Sequence, residues 1–254
     1  MLGPPNLRRI FFTTDMEQHE TPPGMIAAKG LSKLSVRTSA ALHKLQHALC
    51  KPTSTKPIPG LNGRTPRIVL LGSSVVKQWP ARMYAGLGSG ESDVVNLGVN
   101  GLKTVDIVQS EQNMAVLKEI NTSPGVKTVV LYMGANDFLN GCTADEIGTN
   151  VLEILNALRN KRVVVVQLMQ SPQLEHVVPA PTIARVHSMV EAAVDRRRHG
   201  LENPSAAVVP FLPVHFGSAR DVHPSMYNFF DGLHLTTNAY ERLTAEVKKV
   251  IAPP

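Results

Sequence analysis

Four short clusters of residues carry groups that could do chemistry together. Gly72-Ser73-Ser74 offers two hydroxyls, and Asn96-Leu97-Gly98-Val99-Asn100-Gly101 offers backbone and side-chain amides. Gly134-Ala135-Asn136-Asp137 adds a carboxamide and a carboxylate, and Asp231-Gly232-Leu233-His234 sets an imidazole just after a carboxylate. A hydroxyl is a weak nucleophile until a base takes its proton. Imidazole is the side chain that ordinarily gains and loses a proton near neutral pH. Amide N–H groups stabilise an oxyanion as it forms. These are the ingredients of nucleophilic acyl chemistry. Singly each is commonplace: a glycine after a strand is usually a turn, an Asn-Asp pair a turn or cap, and a lone histidine a satisfied surface or core residue.

The elements between the clusters decide whether they can meet. Arg67–Leu71, Val94–Val95, Val126–Met133, Arg162–Leu168 and Ala206–Val209 are short apolar runs that suit buried strands. Helical stretches are predicted near 103–120, 143–160, 180–199 and 237–251, the second opened by a capping box of Thr143 and Glu146. Buried strands alternating with amphipathic helices predict an α/β fold, a three-layer α/β/α sandwich around a central parallel sheet. In such sheets ligands bind beyond the carboxyl ends of the strands. The first three clusters directly follow strands one to three, and the fourth lies between the last strand and the final helix. Polar and small residues therefore gather at the one edge where a site would form.

In this order the four clusters resemble the sequence blocks of the SGNH (GDSL-type) hydrolase family of esterases and lipases, over about residues 66–252. The resemblance implies a flavodoxin-like sheet order and an acyl-serine mechanism. It implies Ser74 as nucleophile, Asp231 and His234 as its partners, and an oxyanion hole from Ser74, Gly101 and Asn136. The residues agree with those roles. Ser74 would stand where a strand turns into a helix, with amides facing an incoming oxyanion. His234 would act as base and Asp231 would orient it, which is triad logic on a fold unlike chymotrypsin's. One departure stands out: the family commonly has Asp before the nucleophile, and here it is Ser73. Position in the block favours Ser74 over Ser73. Asp137 is read as a structural turn residue, Trp79 and Tyr84 as packing of the first helix, and His215 and His223 as surface loop histidines. Phe229 and Phe230 are candidate walls of the acyl or alcohol pocket. The strings around Asn136 and His234 resemble small-ester hydrolases of the family more than its plant lipases.

Composition excludes several other classes. The chain has 254 residues and a net charge of +6. Residues 1–63 carry eight Lys/Arg against three acids, so nearly all the excess lies there and the remainder is close to neutral. A groove for nucleic acid is therefore not expected in the main domain. Arg196-Arg197-Arg198 reads as a solvated helix end. Two cysteines, Cys50 and Cys142, make no disulfide framework, and no Cys/His cluster has zinc spacing. No apolar run is long enough for a transmembrane helix. There is no Gly-x-Ser-x-Gly elbow, and Gly86-Leu87-Gly88-Ser89-Gly90 lacks the strand–helix setting of a dinucleotide site.

The domain reading is a basic N-terminal extension and linker over 1–65 and a catalytic domain over 66–254. Residues 25–50 form a basic amphipathic helix that packs on the domain or frays in solution; the alternatives are contact with a membrane surface and, if translation begins at Met25, mitochondrial targeting. Absence of a secretory signal and the scarcity of cysteine favour an intracellular, cytoplasmic location. The expected function is hydrolysis of a short-chain acyl or acetyl ester, a small-molecule substrate, with no cofactor and no metal. The alternatives are a carbohydrate O-acetylesterase or O-acyltransferase using the same triad, and, in another class, a catalytically silent binding domain. The oligomeric state is not legible.

Overall fold

The computed structural model describes residues 50–52, 56–198, 212–214 and 231–252. All of them belong to one compact unit, Ala41–Pro254. The expected helix over 25–50, all but its last residue, the strand over 206–209, and His215, His223, Phe229 and Phe230 lie outside the described residues.

Five parallel strands form the centre: β1 (Ile68–Gly72), β2 (Val94–Asn96), β3 (Thr128–Tyr132), β4 (Arg162–Val166) and β5 (Leu212–Val214). Their order is β2-β1-β3-β4-β5. In register, Ile68 lies beside Thr128 on one side and Val94 on the other. Every residue of β1 and β3 is buried, as expected of strands covered on both faces. This is the parallel three-layer α/β architecture expected from the sequence, with the flavodoxin-like strand order. That order places a topological switch point between β1 and β3, where adjoining connections leave to opposite faces and open a crevice.

The helices are α1 (Ser74–Lys77), α2 (Ala81–Tyr84), α3 (Thr104–Val108), α4 (Glu111–Thr122), α5 (Ala135–Leu139), α6 (Ala144–Ala157), α7 (Pro172–Glu175), α8 (Ala180–Arg198) and α9 (Thr237–Ile251). Thr143 caps α6 as its sequence announces: its hydroxyl accepts the Glu146 amide, and the Glu146 carboxylate accepts the Thr143 amide at 2.8 Å. The single helix expected over 103–120 is two. Ser110 ends the first and caps the second, its hydroxyl accepting the Asn113 amide at 3.3 Å.

The described part of the expected linker is a packed strap. Ile58 and Leu61 are buried in the main core. Fully buried Asn113 holds the strap through its carboxamide, which accepts the Ile58 amide at 2.8 Å and donates to the Lys56 carbonyl at 3.2 Å. Glu119 accepts the Leu61 amide at 3.2 Å. Composition predicts a linker because Pro, Gly and Thr dominate, but two well-placed apolar residues and a few backbone bonds suffice to dock it. Further along, Cys50 and Cys142 are joined in a disulfide that spans 92 residues of sequence. The two cysteines build no scaffold, yet their pairing withdraws the support that cysteine scarcity lent to an intracellular location, because disulfides persist in oxidising compartments.

Candidate active site

The first three clusters meet at the switch point. β1 runs into Ser73, which is non-helical, and Ser74 opens α1. The first amides of a helix have no acceptor within it. The second cluster continues alongside β1 beyond the strand proper: Leu97 donates to the Leu70 carbonyl at 2.8 Å and Val99 to Gly72 at 3.0 Å. Asn96 binds this run to α1, its carboxamide donating to the Val76 carbonyl at 2.7 Å. A side chain at Gly98 would collide with the Lys77 backbone, so close packing against α1 requires glycine there. The chain then turns through Asn100 and Gly101, closed by the Leu102 amide on the Val99 carbonyl at 3.2 Å. Gly101 has φ +70°, which suits the third position of a type II-like turn and disfavours any other residue.

The third cluster is tied to the second by two side chains of α5. Asn136 donates from its amide nitrogen to the Leu102 carbonyl at 3.2 Å. That bond uses one of two amide protons and leaves the other for a ligand. Asp137 is fully buried and accepts both the amide and the hydroxyl of Thr104, at 2.9 and 2.6 Å. The turn residue expected from sequence is thus an internal staple. Burial pushes its carboxyl up to about 6, against the downward pull of the Thr104 bonds and with a further push from Asp106.

The fourth cluster forms a pair of its own. The Asp231 carboxylate accepts the Leu233 and His234 amides at 2.9 and 3.0 Å on one oxygen, and meets the His234 Nδ1 at 2.7 Å with the other. Partial burial raises the Asp231 pKa, but the bonds from His234 and Leu233 outweigh it and hold the carboxyl below its ordinary range. The other ring nitrogen, Nε2, is buried and has no hydrogen-bond partner among the described residues. The cluster is fixed to its surroundings through the Gln173 amide at the start of α7, which donates to the Gly232 carbonyl at 3.1 Å.

Helix α9 begins just after His234 and is clamped to the chain that follows Ser74. The Tyr240 hydroxyl donates to the Val75 carbonyl at 2.7 Å. The Trp79 indole donates to the Thr244 hydroxyl at 2.9 Å, and the Trp79 and Tyr240 rings stack with centroids 6.2 Å apart. Trp79 therefore packs the nucleophile-bearing segment onto α9, a more specific role than the helix-to-sheet packing expected of it. Tyr84 packs against the core as a partly buried ring. Two hydroxyls remain as alternatives: Ser73 is 1% exposed and Ser74 7%. Among the described residues no group of three or more His, Cys, Asp or Glu could hold a metal, and no helix is long and apolar enough to cross a membrane.

The model of the GDSL-like Lipase/Acylhydrolase family matches residues 69–242, a span that contains all four clusters. No curated protein matches the sequence. Among solved structures, the chain is similar to a GDSL-like lipase from Bacteroides thetaiotaomicron, with 16% identity and TM-score 0.52 over 87% of this chain and 97% of that one. It is similar to a lipase/acylhydrolase from Enterococcus faecalis, with 21% identity and TM-score 0.52 over 73% and 95%. It is also similar to an acetyl esterase solved as a serine-to-alanine mutant with an acetate ion, with 18% identity and TM-score 0.55 over 73% and 96%. At these identities the likeness is one of fold.

Proposed function

The chain belongs to the GDSL-like Lipase/Acylhydrolase family, and on that premise we propose that it hydrolyses a short-chain carboxylic ester through an acyl-serine intermediate. Ser74 Oγ attacks the carbonyl carbon while His234 Nε2 takes its proton. The tetrahedral intermediate collapses, and the imidazolium gives that proton to the departing alcohol. Water, deprotonated by the same nitrogen, then attacks the acyl carbon and releases the acid and Ser74. Asp231 keeps the proton on Nδ1 and stabilises the imidazolium. The amides of Ser74 and Gly101 and the Asn136 carboxamide stabilise the oxyanion, each such donor worth about 3 kcal/mol in the transition state.

The observation that carries this reading is the divided imidazole of His234. Nδ1 is engaged by a carboxylate, while Nε2 is buried and unpartnered among the described residues, on a cluster whose following helix is clamped to the segment beginning at Ser74. A buried polar atom without a partner is costly unless something visits it. The test is hydrolysis of p-nitrophenyl esters from acetate to palmitate, with covalent labelling by a fluorophosphonate. The wild type should favour short chains and be labelled at Ser74, and Ser74→Ala should lose both activities. Turnover unchanged in Ser74→Ala would overturn the proposal. A wild type that neither turns over nor labels would point to a silent binding domain.

A further inference from the structure

The strap before β1 brings a lysine to the second cluster. An ideal β-carbon on Gly101 would lie 2.5 Å from Lys56 Nζ, so the ammonium occupies the space that a side chain at Gly101 would fill. Lys56 is half-buried and its backbone is not free to wander: its carbonyl accepts from the buried Asn113 carboxamide at 3.2 Å, which also holds Ile58 at 2.8 Å and the Asp106 carbonyl at 2.9 Å. Among the described residues no carboxylate or carbonyl partners the Lys56 ammonium. A cation on a docked stretch of backbone thus lies beside the turn that carries Gly101, and among the described residues no acidic group pairs with it.

Resting on the reading of Gly101 as an oxyanion donor, we propose that Lys56 is a specificity residue, and that the ester taken by this site carries an anionic group within a few bonds of its carbonyl. The ammonium lies where a β-carbon on Gly101 would project, and on the proposed reading it meets a substituent of the substrate near the reacting carbonyl. In a partly buried site a single such contact discriminates strongly between a charged substrate and its neutral isostere, since the neutral one leaves the cation unpaired.

Two matched pairs of esters test this. On the acyl side, mono-p-nitrophenyl succinate is compared with p-nitrophenyl valerate; on the alcohol side, acetoxyacetate is compared with acetoxyacetamide. The wild type should prefer the anionic member of one pair in kcat/KM, and which pair shows it identifies the side that Lys56 faces. Lys56→Met should reduce that preference about tenfold or more, Lys56→Arg should keep most of it, and added salt should weaken it in the wild type. No anionic preference in either pair, or one that survives in Lys56→Met, overturns the inference. So does an equal loss on charged and neutral esters, which would make Lys56 a general oxyanion donor. Ser74→Ala, run on the same esters, separates the two readings: turnover retained there defeats the acyl-serine mechanism whatever Lys56 does. If the wild type turns over none of the four, calorimetric binding of succinate to wild type and Lys56→Met decides, and equal or absent binding overturns the proposal.

Discussion

Asp137 shows how one buried side chain can tie two clusters of the candidate site together. Its Oδ1 accepts two bonds from Thr104, so it locks the run carrying Gly101 against the helix carrying Asn136. Its Oδ2 is buried and has no hydrogen bond among the described residues, in keeping with burial as the largest influence on its titration. A carboxyl whose folded pKa is raised to about 6 binds its proton more tightly folded than unfolded. The stability it contributes is therefore full below the unfolded value, near 4, and is lost as pH rises through about 6. Asp137→Asn can still accept from Thr104 but carries no charge at any pH. Comparing urea unfolding at pH 4 and pH 7, the variant should gain on the wild type by up to about 3 kcal/mol. A stability difference that stays flat across that range would show that Asp137 is not driven by burial. The sequence announces Asp137 as part of a cluster, but its role depends on Thr104, a contact that local spacing does not encode.

The elements that form the site's floor were legible because their signals are local. Apolar runs ending in Gly72, Asn96 and Gly134 mark strands whose ends supply three of the four clusters, and the cap at Thr143 is written within four residues. What joins the fourth cluster was not legible. Tyr240 and Val75, like Trp79 and Thr244, are 165 residues apart, and nothing in either segment names the other. On the proposed mechanism that clamp gives α9 a positioning task, since the helix follows the loop that carries His234. Tyr240→Phe keeps the ring stack but removes the bond to Val75, at a cost of roughly 1 kcal/mol in folding stability. The larger effect belongs on kcat: it should fall several-fold with KM little changed, because a slightly misplaced imidazole penalises the transition state more than ground-state binding. Urea unfolding and steady-state kinetics on the same preparation separate the two. A loss of stability with kcat intact would reduce the clamp to packing.

At the scale of the molecule, the strap preceding β1 makes part of a nominal appendage belong to the core of the α/β domain. Its Pro- and Gly-rich composition hides this, since Ile58 and Leu61 are too few to give a periodic signal. Nor can a sequence with two cysteines say whether they meet: pairing requires the Cα atoms to come within about 7 Å, and the fold brings Cys50 and Cys142 to 4.7 Å. The bridge joins the strap to the loop between α5 and α6, just beyond Asn136 and Asp137. Lys103, at the start of α3, adds a second link to this stretch, its buried ammonium donating to the Lys51 carbonyl. Closing a loop with a 92-residue separation restricts the unfolded chain, and the chain-entropy estimate for that length is about 4–5 kcal/mol as an upper value. Cys50→Ser with Cys142→Ser, or reduction of the wild type, should therefore lower the urea midpoint clearly with the unfolding slope altered, because the uncrosslinked chain exposes more surface. The Asn113 bonds remain, so the strap near Lys56 should stay docked and the charge preference of the site should change less than the stability. Equal unfolding of oxidised and reduced protein would mean that the bridge constrains nothing, and that Asn113, Ile58 and Leu61 alone hold the strap in place.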